Sequence, residues 1–268
     1  MKLSPPLAAV VVVAALSMCA FPQVLRAQIR DNGPASLIIT YKSAPSKRAE
    51  FRAYMESKGA AQFARWRTDG VFRECRILFS SYVVNGGIDM AVILDFDTFA
   101  ASGRWKEIER KCPGGIAPDG LALGVPDDTI LAYPLDRAEA PRRDPTRSAF
   151  VLAPYQVTVD MAKYEAYARG YVVPQLKGWI ADGALASYAV YIRQPYQNPE
   201  GRAWTSLLVL EYSDMSALAR SNIVKDEVRK RLAANPEWKA FSDNKQEMRK
   251  AQGFLFLDAI VAPDNAGR

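Results

Sequence analysis

The chain has 268 residues and no histidine. That absence removes Ser-His-Asp and Cys-His nucleophile systems, histidine-ligated zinc and a haem held by a proximal histidine. Cysteine is scarce as well. Cys19, Cys75 and Cys112 are the full set and none forms a C-x-x-C pair, so neither a thiolate metal site nor a dithiol redox centre is expected, and no metal or cofactor is assigned. No concentrated basic stripe exists: acids interrupt the bases, as in Lys225-Asp226-Glu227-Val228-Arg229. This reads as a solvated helix face rather than a nucleic-acid surface. The Gly-rich stretch Cys112-Pro113-Gly114-Gly115 lacks the lysine and spacing of a phosphate loop and reads as a turn.

Long apolar runs are missing too, except at the start. Lys2 precedes the stretch Leu7 to Phe21, and Leu25-Arg26-Ala27 closes it. A basic start, a short apolar core and a small residue before a polar segment predict a cleavable export signal over residues 1–27, with the mature chain beginning at Gln28. The uninterrupted apolar part is short for an uncleaved anchor, which needs roughly 20 residues. Cys19 as a lipid attachment point is disfavoured by the bulky Met18 before it. A periplasmic or secreted protein with no membrane span after cleavage is expected. Of the 35 Lys and Arg and 29 Asp and Glu, only Lys2 and Arg26 lie before residue 28, leaving a net charge of +4. In an oxidising compartment Cys75 and Cys112 can form one disulfide or remain two thiols.

What is present is a repeat. Residues 51–72 and 164–185 align at a constant shift, with Ala53/Ala166, Tyr54/Tyr167, Gln62/Gln175, Trp66/Trp179, Asp69/Asp182 and Gly70/Gly183 identical. A fixed-period match is the mark of duplication. Further on, Ala91 to Phe96 matches Leu207 to Tyr212, with extra residues entering near Gln197 to Glu200. Each copy reads strand, helix, strand, strand, helix, strand. The predicted strands are Leu37 to Tyr41, Val71 to Val83, Met90 to Phe96 and Thr129 to Leu135, then Phe150 to Val157, Leu185 to Arg193, Trp204 to Tyr212 and Phe254 to Val261. Asp160 is placed to cap the helix carrying Tyr164, Tyr167, Tyr171, Leu176 and Trp179, and Asn235-Pro236 to open another. These aromatics at helical spacing read as core.

A β-α-β-β-α-β order is the ferredoxin-like motif. The expected architecture is α+β: repeat 1 at 28–135, a Pro- and charge-rich linker at 136–147, and repeat 2 at 148–268. Strands apolar on both rows, such as Met90 to Leu94, imply two antiparallel sheets packed face to face.

Residues 150–262 resemble the NIPSNAP-like members of the dimeric α/β-barrel superfamily. The resemblance rests on Tyr164-Glu165-Ala166-Tyr167, Pro174, the Trp179/Asp182-Gly183 helix exit, Leu210-Glu211-Tyr212 and Ala234-Asn235-Pro236-Glu237-Trp238-Lys239-Ala240-Phe241. Residues 36–135 share it only through the repeat. It implies a pseudo-dimeric α/β barrel, two facing sheets within one chain that enclose a pocket; the superfamily holds cofactor-independent monooxygenases, haem-handling enzymes and isomerases, so it does not imply one reaction.

Strand alternation puts Arg76, Asp95, Tyr191, Arg193 and Glu211 toward the expected space between the sheets, where a phenol, guanidinium groups and carboxylates can orient a small ligand. The plainer reading, favoured for each residue taken singly, is that they are strand-end and rim residues making ordinary salt bridges. Two functional readings stand. The first is an exported protein, monomeric or homodimeric, that binds a small apolar or aromatic molecule in that cavity or serves in assembly. The second is a cofactor-independent monooxygenase or isomerase acting on such a compound.

Overall fold

The computed structural model describes residues 33–141, 144–194 and 205–262. The expected export signal, and the extra residues near 197–200, lie outside the described residues. The first half runs β1 (Ala35–Ser43), α1 (Arg48–Tyr54), α2 (Ala60–Thr68), β2 (Glu74–Ser80), β3 (Met90–Phe96), α3 (Trp105–Lys111), α4 (Pro118–Leu121) and β4 (Gly124–Glu139). The second runs β5 (Ala149–Val157), α5 (Met161–Tyr167), α6 (Val173–Ala181), β6 (Leu185–Arg193), β7 (Ser206–Tyr212), α7 (Met215–Leu232), α8 (Pro236–Asp243), α9 (Lys245–Met248), β8 (Arg249–Ala251) and β9 (Leu255–Ala259). The two aligned segments share backbone features. A π-helical turn joins α1 to α2 at Met55–Gly59, and another joins α5 to α6 at Ala168–Val172. Gly70 and Gly183, at φ 71° and 74°, end the two helices at equivalent places, in the left-handed conformation that glycine adopts without penalty.

The strands form one antiparallel sheet in the order β7-β6-β4-β1-β3-β2-β9-β5, and β5 pairs back onto β7. The result is a closed eight-stranded barrel, with β8 added beside β5. The expectation of two ferredoxin-like repeats with sheets packed face to face is therefore incorrect. The strands of the two halves join at their edges, β4 to β6 and β2 to β9. The physical reason is edge satisfaction: an open sheet edge leaves a row of N–H and C=O groups unpaired, and closure pairs them. β4 makes closure possible by its length. Gly124 to Ala132 pairs with β1, and Ala132 to Glu139 pairs with β6 across a register shift between Pro134 and Asp136. Proline donates no hydrogen bond, which suits such an irregular position. Asp136 to Glu139, read from sequence as linker, is thus strand.

Side-chain alternation then makes three apolar bodies. Inward rows such as Ile38, Leu78, Ile93, Ile130, Leu152 and Val209 fill the barrel. Outward rows meet helices: Ile39, Phe79, Val92 and Leu94 pack with Phe51, Phe63 and Trp105 in the first half. In the second half Val151, Val190, Leu208 and Leu210 pack with Tyr164, Tyr167, Trp179 and Trp238.

Cys75 and Cys112 are both free thiols, so the disulfide is not formed. Cys75 points outward from β2 against the first-half core, where burial pushes its thiol pKa well up. Cys112 ends α3. Among the described residues no helix is long and apolar enough to cross a membrane, and no group of three or more Cys, Asp or Glu is placed to hold a metal.

Candidate functional site

The five residues singled out from sequence divide into three groups. Arg76, Asp95 and Tyr191 meet at one end of the barrel interior. The Tyr191 hydroxyl donates to Asp95 at 3.3 Å, Ser36 donates to the same carboxylate at 2.5 Å, and Arg137 contributes Nη1 at 3.3 Å. Arg76 is paired with Glu139 at 3.0 Å. Burial, followed by the charge of Asp95, raises the Tyr191 pKa strongly, so its proton stays on at neutral pH. Glu211 stands apart, accepting from Ser148 at 2.7 Å and Ser187 at 2.5 Å. Arg193 is buried, and its Nε and Nη1 have no hydrogen-bond partner among the described residues. Arg76, with Glu74 and Glu139, also lines a cavity of about 360 Å³ near the β2–β9 seam. The middle of the barrel holds apolar side chains from its surrounding strands.

A larger cavity, about 1120 Å³, lies outside the barrel, between the second-half strands and their helices. Its floor is the outward face of β5 and β7, through Val151, Ala153, Leu208 and Leu210. Local sequence places each wall. Asp160 caps α5 by accepting from the Lys163 N–H at 2.9 Å, and Asp214 caps α7 by accepting from the Ala217 N–H at 2.7 Å. Asn235 accepts from the N–H groups of Glu237 and Trp238, at 2.9 and 3.2 Å, and Pro236 opens α8.

Aromatic stacking fixes the inner wall. Tyr167 stacks on Tyr171 at 5.2 Å between centroids, and Tyr171 on Trp238 at 5.0 Å. The Trp238 indole N–H donates to the Tyr171 carbonyl at 3.2 Å. Gly170 permits this arrangement, because a Cβ there would stand 2.6 Å from the Phe241 ring. These aromatics are core, as the helical spacing implies, and several of them also face the cavity.

Two of the cations lining this space, Lys225 and Arg249, stand against aromatic rings. Arg249 lies 3.7 Å over the Tyr155 ring, with the Tyr164 hydroxyl at 3.4 Å. Lys225 sits 5.1 Å from the Trp179 ring centroid and 5.3 Å from that of Tyr212. Burial, then the neighbouring Arg229, lowers the Lys225 pKa. Desolvation pushes the Tyr212 phenol up to about 12. Sequence reasoning placed Lys225 on a solvated face, which the structure corrects. The available signal was its helical spacing with Leu218, Ser221 and Val228, which puts a lysine on a buried stripe. Arg249 carried no such signal, since a three-residue strand leaves no periodicity to read.

No protein-family model matches the chain, and no curated protein matches it in sequence. Solved structures do resemble it. One is a Lactobacillus acidophilus NCFM protein provisionally named a monooxygenase, with a TM-score of 0.52 at 13% identity, covering 85% of this chain and 95% of that one. A Fusobacterium nucleatum protein of the same provisional name has a TM-score of 0.54 at 9% identity, covering 88% and 96%. At such identities the likeness extends to the fold alone. A haem held through a proximal histidine does not fit the groove, because the chain contains no histidine.

Proposed function

We propose that the chain binds a small apolar or aromatic molecule in the second-half groove. The observation that carries this reading is a cavity of about 1120 Å³ whose walls include Tyr155, Tyr167, Tyr171, Trp179, Tyr212 and Trp238. A concave, mostly apolar site with a few convergent polar groups is the usual form of a small-molecule pocket. The NIPSNAP-like reading of residues 150–262 is part of the same proposal, since its Asn235-Pro236 cap and Trp238 close the groove. So is export: a protein maturing at Gln28 would work outside the cytoplasm.

A catalytic reading is supported by the two structural relatives whose provisional names are monooxygenases. Under it the groove holds an electron-rich aromatic compound for cofactor-independent oxygenation, with isomerisation as the other chemistry. Native mass spectrometry of protein purified from its own compartment tests binding. A co-purifying small molecule is expected, and Ala153→Phe, which fills the floor, should expel it. Retention of the molecule in that variant would remove the groove from consideration. Oxygen uptake with an electron-rich polycyclic phenol and no added cofactor is the outcome the catalytic reading requires.

A further inference from the structure

The groove is charged as well as apolar. Lys225 and Arg249 both line it, and both are partly buried. The lining carboxylate Asp226 is engaged by Arg229 at 3.4 Å. The remaining nearby acid on α7, Glu227, is engaged by Lys230 at 2.8 Å. Among the described residues no carboxylate lies within ion-pair distance of Lys225 or Arg249. What they have instead are aromatic faces and, for Arg249, one long contact to a phenol hydroxyl. A ring face attracts a cation but carries no net charge. Two desolvated cations therefore face one cavity with no counter-charge from the protein, and buried charges are ordinarily paired.

We infer that the groove's ligand is an amphipathic anion, with its apolar or aromatic body on the Val151–Leu210 floor and its acid group paired with Lys225 or Arg249. This rests on the proposal that the groove is a binding site, and narrows it to one chemical class. The arrangement has a further physical consequence. The charge of an incoming carboxylate or sulfonate would offset the desolvation that lowers the Lys225 pKa, and so raise that pKa.

The test uses a matched pair of fluorescent probes, pyrenebutanoate and pyrenebutanol, titrated into the mature protein by fluorescence anisotropy. The acid is expected to bind at least about tenfold more tightly than the alcohol, the gain of roughly one charge-assisted hydrogen bond. That ratio should shrink with added salt, since it arises from charge. In Lys225→Met or Arg249→Met it should fall to about one, and the variant that does so names the anchoring cation. If Arg249→Met does not fold, Lys225→Met and the salt dependence still decide. Equal binding of acid and alcohol by the wild-type protein would overturn the anion assignment and leave the groove as a neutral binding site. So would a ratio unmoved by salt and by each folded variant. Binding of neither probe would overturn both the assignment and the proposed function.

Discussion

Single residues hold the second half to close tolerances. Gly178 on α6 faces α7, where a built Cβ would lie 2.5 Å from Val228 Cγ1. Alanine improves helix propensity by roughly 0.5–1 kcal/mol over glycine, but overpacking a filled contact costs about 1–3 kcal/mol. The clash should win. Gly178→Ala is expected to lower the urea midpoint with an unchanged slope. A rise in the midpoint would show that the two helices can separate freely.

Lys225 poses the opposite case, a residue whose removal should help the fold. Its folded pKa is lowered, chiefly by burial, from the ordinary 10.5. Between the two values the unfolded chain binds more protons than the folded one, so stability rises with pH across that window. Below the folded pKa the cost of the buried ammonium is present in full. Lys225→Met should therefore be more stable than wild type at neutral pH, and the difference should shrink as pH approaches 10.5. Paired unfolding curves of the two proteins across that range check both statements, and comparing them removes the tyrosine titrations they share.

Secondary-structure elements show which parts of the fold were legible in the sequence. Strand and helix order could be read because its signals are local: apolar alternation, the Asp160 and Asn235 caps, and the Gly70 and Gly183 exits. The π-helical turns were not foreseen. Pro174 does not explain them, since the first-half turn forms without a proline, with Ala61 at the matching position. Closure of the barrel was also hidden. Strands apolar on both rows fit two stacked sheets and one barrel equally well, and edge pairing is made by backbone atoms that leave no mark on side-chain choice. The five candidate residues followed from alternation, and three of them, Arg76, Asp95 and Tyr191, lie near one another. Alternation inside the strands pointed attention into the barrel, however, whereas the larger cavity depends on helix placement outside it.

The α8 cap holds one part of that cavity's wall, through Trp238. Asn235 accepts two backbone N–H groups at the start of a short helix that carries Trp238. Asn235→Ala should cost about 1 kcal/mol of stability and loosen the Trp238–Tyr171 stack. Thermal unfolding reads the first effect. A red shift of tryptophan emission at temperatures below unfolding reads the second, and its absence would mean that packing alone holds α8 in place.

On the scale of the whole molecule, the two halves complete one another. Removing the first half would expose the edge of β6 that pairs with β4 and the edge of β9 that pairs with β2. It would also uncover the inward row of Leu152, Tyr191, Leu207 and Val209, all buried in the intact chain. Unpaired edges invite intermolecular pairing, and an apolar surface of that extent is rare on a soluble monomer. Residues 148–268 expressed alone should therefore aggregate or pair as a homodimer, in which two copies of the second half close a barrel edge to edge. Chain length alone would not demand this, since domains of about 120 residues commonly fold by themselves. Size-exclusion chromatography with light scattering separates the outcomes. The same measurement on the chain with both halves establishes whether the complete barrel is itself a monomer or a dimer. A compact, monomeric second half with native thermal cooperativity would mean that the β4–β6 and β2–β9 pairings contribute little, and that the barrel is two independent units in contact.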